Sequence, residues 1–85
     1  SSGNIGVGTT PTAKLHIDQS NASGAQTVLK LDQADEDDSF IDFIGATASD
    51  QTKSLTTDTS VGALTGHIKI EINGAPFWLP YYAPN

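Results

Sequence analysis

The sequence predicts an all-β fold, and three observations carry that expectation. No window of a dozen residues keeps apolar side chains at the i, i+3, i+4, i+7 spacing of an amphipathic helix. Ten Thr, eight Ser, eight Gly and four Pro punctuate the chain every few residues, which leaves room only for short strands. Residues 67–72, His-Ile-Lys-Ile-Glu-Ile, alternate without a fault, the period of a strand with one apolar face.

Taken in order, the first candidate strand covers residues 4–7. A second covers 13–18, where Leu15 and Ile17 alternate with Lys14, His16 and Asp18, and the breaker Gly8-Thr9-Thr10-Pro11 separates the two. Residues 19–24 read as a polar turn. A third strand is expected over 26–32 and, after the acidic run from Asp32 to Asp38, a fourth over 40–44. Residues 47–60 are polar apart from Leu55 and read as a long loop. At the C-terminal end, residues 67–72 and 77–82 flank Asn73-Gly74, the pair best suited to a type I′ turn because both central positions need positive φ. This is the strongest local signal in the chain, a β-hairpin. Its second arm has Phe77, Leu79 and Tyr81 on one side and Trp78 and Tyr82 on the other. A strand apolar on both faces wants cover on both.

Composition bounds the stability and the partners. Leu, Ile, Val and Phe together number 19 of 85 residues, a thin supply for a single-chain core, and small domains with weak cores draw on disulfides, metals or oligomerisation. With no Cys, disulfides and thiolate metal sites are excluded. The economical cover for the hairpin is another copy of the chain. Four Lys, no Arg and ten acidic residues give a net charge of −6, which argues against a nucleic-acid surface and against anionic membranes. No apolar run approaches the roughly 20 residues of a membrane-spanning helix.

The chemical motifs are weak. Gly3 and Gly8 have phosphate-loop spacing, but Thr9 stands where the motif needs Lys, so a turn is the better reading. His16 and His67 lie on polar strand faces, with no nucleophile or carboxylate placed by spacing to complete a catalytic set. Asp32, Asp35, Glu36, Asp37 and Asp38 could offer oxygen ligands to Ca²⁺, yet they lack the order and the closing Glu of an EF-hand, and a solvated loop is expected there. No catalytic residue, metal site or cofactor is expected. A glycan-cleaving enzyme would need two carboxyls across a cleft with sugar platforms, for which six aromatics crowded mostly toward the C-terminus are poor material.

Two segments carry a resemblance. Asn4-Ile5-Gly6-Val7-Gly8-Thr9-Thr10-Pro11-Thr12-Ala13-Lys14-Leu15-His16-Ile17-Asp18 resembles a segment that recurs in bacteriophage tail fibres and related trimeric adhesins, differing by the absence of a Ser before Pro11. The stretch from Gly66 through Ile72-Asn73-Gly74 to Pro80-Tyr81-Tyr82 is similar to the ending of many phage and prophage tail proteins. Together they span 32 of the 85 residues, and residues 19–65 match nothing comparable. The resemblance implies an intertwined homotrimer with a C-terminal hairpin tip, part of a virion tail fibre, that attaches to a host surface.

The resulting organisation is a shaft-like β segment over 1–32, an acidic run, short strand and polar loop over 33–65, and the hairpin and tail over 66–85. The expected inter-chain contacts are Ile68, Ile70, Ile72, Phe77, Trp78, Leu79, Tyr81 and Tyr82. Asp50, Gln51, Thr52 and Lys53 are the expected receptor residues, since binding groups concentrate on loops carried by a rigid scaffold. The expected partners are the chain itself and a host-surface glycan or protein, with no nucleic acid and no membrane insertion. The alternative is a small monomeric β-sandwich that binds carbohydrate.

Overall fold

In the computed structural model, which describes residues 3–24 and 26–85, every regular element is a strand: β1 (Ile5–Val7), β2 (Leu15–Ile17), β3 (Thr47–Ala48), β4 (Leu55–Thr56), β5 (Leu64–Ile72) and β6 (Ala75–Tyr82). They form three separate two-stranded sheets, β1 with β2, β3 with β4 and β5 with β6. The all-β expectation holds. The chain divides into two units, residues 1–42 and 43–85.

In the first unit, β1 and β2 run parallel with Ile5 opposite Leu15 and Val7 opposite Ile17. The Ile5 N–H donates to the Lys14 carbonyl at 2.8 Å, and the Asp18 N–H donates to the Val7 carbonyl at 2.9 Å. Parallel strands usually need a crossover of a dozen or more residues. Here residues 8–14 suffice, because the strands are only three residues long and the chain turns tightly between them. Gly8 makes this possible with φ +78°, and a side chain there would run into the Asp18 carbonyl. Thr12 secures the far side: its N–H donates to His16 Nδ1 at 3.1 Å.

The second unit repeats this parallel arrangement in miniature. Thr47 and Ala48 of β3 pair with Leu55 and Thr56 of β4, and the Thr57 N–H donates to the Ala48 carbonyl at 2.9 Å. The polar stretch 47–60 therefore contains two short strands where a loop was expected; two-residue strands are too short to leave a period in the sequence. The converse correction concerns residues 26–32 and 40–44, whose alternation predicted strands and which form none. They have no ladder partner, and their apolar side chains stand open, from Leu31 at 45% to Ile44 at 91% exposed. Alternation marks a segment suited to a sheet, but a strand also needs a neighbour.

The hairpin is the expected one, with longer arms. Asn73 at φ 51° and Gly74 at φ 81° supply the two positive φ values of a type I′ turn. The register runs Ile72–Ala75, Glu71–Pro76, Ile70–Phe77, Lys69–Trp78, Ile68–Leu79, His67–Pro80 and Gly66–Tyr81, with a bulge between Leu64 and Gly66. Counting outward from the two-residue turn, hydrogen-bonded and non-hydrogen-bonded pairs alternate, so Pro76 and Pro80 both occupy non-hydrogen-bonded pairs. The donors they lack would have pointed away from β5. The hairpin keeps its ladder, and the outer edge of β6 loses two of the donors that another strand would need. The Tyr81 ring covers Gly66 at the place where a side chain there would sit, the usual rescue of a strand glycine by a cross-strand aromatic.

No described residue is buried. Nineteen large apolar side chains are between 45% and 91% exposed, and Ile17, Leu55 and Ile70 are half-buried. The accessible surface is 7485 Å². A folded monomer of 8.9 kDa has about 4,800 Å² by the usual scaling, so this chain leaves about 2,700 Å² uncovered.

Candidate functional site

Register sorts the hairpin into two chemically different faces. Ile68, Ile70 and Ile72 of β5 share one face with Phe77, Leu79 and Tyr81 of β6, which brings six of the eight expected contact residues together. This face is continuous and apolar, and five of its six side chains are between 46% and 54% exposed. Trp78 lies on the opposite face, directly across from Lys69, with His67 and Glu71 on the diagonals. Tyr82 falls on that second face as well, paired with Leu64. The sequence alone shows β6 with two apolar sides; the pairing adds that one side meets three Ile and the other meets His, Lys and Glu.

Asp50, Gln51, Thr52 and Lys53 sit together in the connection between β3 and β4. The loop is organised from within. The Asp50 carboxylate accepts the Thr52 N–H at 3.1 Å and the Thr52 hydroxyl at 2.6 Å. The Thr56 hydroxyl reaches the Asp50 carbonyl, and the Asn85 N–H donates to Gln51 Oε1 at 2.7 Å, tying the end of the chain to the loop. The same local device recurs elsewhere: a side-chain oxygen of Gln19, Asn21, Gln33, Asp35 or Asp58 accepts the N–H two residues on, which explains why the polar segments turn rather than extend.

The two hydrogen bonds from Thr52 hold the Asp50 carboxyl below its ordinary value, against a small opposing effect of desolvation. A lowered folded value means that the turn gains from the ionised carboxylate above the ordinary Asp range and loses that gain as pH falls through the folded value. Following the Thr52 amide by NMR during an acid titration should show a midpoint below that of an unrestrained Asp. Thr52→Ala removes the hydroxyl bond and keeps the N–H bond, so it should raise the midpoint part of the way to the ordinary range, and an unchanged midpoint would mean that the hydroxyl is not a cause.

Elsewhere the chemistry is sparse. Among the described residues, no group of three or more His, Cys, Asp and Glu side chains is placed to hold a metal ion. In the acidic run, the Asp35 carboxylate accepts the Asp37 N–H at 3.0 Å. His16 is half-buried with the Thr12 N–H and hydroxyl at 3.1 and 3.2 Å from its Nδ1, His67 is exposed on the second hairpin face, and among the described residues no carboxylate is hydrogen-bonded to either. No described helix is long and apolar enough to cross a membrane. No protein-family model, curated protein or solved structure matches the chain.

Proposed function

We propose that this chain is a structural segment of a homotrimeric attachment fibre of the bacteriophage tail-fibre kind, in which three copies cover one another's apolar surface and hold polar loops out to a host. The observation that carries this reading is the uncovered surface. A chain with none of its described residues buried and about 2,700 Å² more surface than a folded monomer of its mass lacks a core of its own, and a stable interface typically takes only about 800 Å² from each partner. The surplus exceeds what one modest contact would cover, which fits a chain enclosed by more than one neighbour. The apolar hairpin face, and separately the exposed apolar side chains of residues 26–32 and 40–44, find equivalent surfaces on equivalent copies.

Three copies rather than two, and the placing in a virion, come from the likeness of residues 4–18 and 66–82 to tail-fibre segments. The role is attachment and not catalysis. Static light scattering on the 85-residue chain at micromolar concentration tests it: the expected mass is three times 8.9 kDa. A monodisperse folded species at the mass of one chain overturns the reading.

A further inference from the structure

The second face of the hairpin has a composition of its own. Trp78 is 65% exposed, the most open of the hairpin aromatics, and it stands between Pro76 and Pro80 on the same face of β6. Lys69 is directly across in a non-hydrogen-bonded pair, where side chains approach most closely, and His67 and Glu71 flank it on β5. His67 and Trp78 line a shallow open cleft of about 310 Å³. Among the described residues, none of these four side chains has a hydrogen bond or ion pair. An indole thus sits on a strand beside three polar side chains that have no hydrogen-bond partner.

The chemistry of those side chains selects the ligand. Lys69 can only donate hydrogen bonds and ionised Glu71 can only accept them, while His67 and the indole N–H add further polar atoms. The Lys and Glu charges cancel, so the face favours neither an anion nor a cation. A ligand that lays an apolar C–H surface on the indole, and turns hydroxyls that both donate and accept toward the rim, satisfies all of these groups together. That is a neutral pyranose ring. We propose that the Trp78 face, with Lys69, His67 and Glu71, is a binding platform for a neutral hexopyranose unit of a glycan. The inference deepens the attachment reading and rests on it in one respect: the Ile68, Ile70 and Ile72 face must be the one turned toward the other copies, which leaves Trp78 outward and takes Trp78 and Tyr82 out of the expected inter-chain contacts.

Trp78 is the only Trp in the chain, so its fluorescence reports on this face alone. In the assembled protein its emission should be that of a water-exposed indole, readily quenched by acrylamide. Methyl glucopyranoside, galactopyranoside and mannopyranoside and their trisaccharides are titrated in turn, and at least one should shift the emission to shorter wavelength with a Kd on the order of 1 mM or tighter. Glucuronate should bind no better than glucose. For Trp78→Ala, which removes the reporter, saturation-transfer NMR should show the sugar signal lost while light scattering finds the mass of the assembly unchanged. Lys69→Ala and Glu71→Gln should each weaken binding several-fold at constant mass. Two results overturn the proposal: an indole protected from quencher because another copy covers it, or no response to any of these sugars at tenfold higher concentration. Light scattering on the same samples separates either failure from a failure of assembly.

Discussion

Ile70→Asp should dissolve the assembly into single chains with little remaining structure. Ile70 is the central and least exposed side chain of the apolar hairpin face, paired with Phe77 and flanked by Ile68 and Ile72. Truncating a buried Ile typically costs about 2–5 kcal/mol, and a carboxylate placed against apolar neighbours adds a desolvation cost on top. Symmetry multiplies the loss, since each copy carries the same change. The expected result is a fall of the light-scattering mass to that of one chain, with loss of the far-ultraviolet strand signal. Glu71→Gln, one residue along on the opposite face, is the control and should leave the mass unchanged. If Ile70→Asp assembles like the parent, the apolar face is not what holds copies together.

Gly8→Ala should unpair β1 from β2. The backbone at Gly8 has φ +78°, a region that costs an L-residue roughly 1–2 kcal/mol, and the new Cβ would also meet the Asp18 carbonyl, a backbone group that cannot swing aside. A pair of three-residue strands has no reserve to absorb both. Amide hydrogen exchange should therefore find the N–H groups of Ile5 and Asp18, which close the pair at 2.8 and 2.9 Å, exchanging far faster than in the parent. The Gly62 and Ala83 amides, which bond beyond the hairpin, should keep their protection. Gly74→Ala makes an instructive comparison: its φ is +81° but nothing lies within 4 Å of the added Cβ, so only the conformational cost applies. Equal effects of the two substitutions would show that the collision with Asp18 is immaterial.

Both predictions depend on features that sequence patterning reached unequally. The hairpin was legible almost to the residue, because its determinants are local: alternation in residues 67–72 and a turn pair whose positive φ values come from Asn73 and Gly74 themselves. The breaker between β1 and β2 was equally legible as a break. The parallel pairing it produces was not, since it depends on the close passage of Gly8 against Asp18, ten residues away. Residues 26–32 and 40–44 misled for the complementary reason: they carry the side-chain period of strands, yet a ladder takes two strands, and no described segment pairs with these two. The candidate loop over Asp50 to Lys53 was found as a polar stretch, but its internal order, with Asp50 holding Thr52 and Gln51 holding the chain end, depends on contacts that composition does not encode.

Local patterning carries the all-β character, the place and type of the hairpin turn, and the shortage of apolar residues for a core. These follow from periodicity, turn chemistry and counting, which act over a few neighbouring residues. Which strands pair and in which register, and so which side chains share a face, is settled by contacts between segments. One step in that register would exchange the partners of Trp78 and Phe77, setting the indole among the three Ile and the phenyl ring beside Lys69. The division of the hairpin into an apolar face and a polar face bearing an indole arises there, because a side chain's period along its own strand says nothing about what stands across from it.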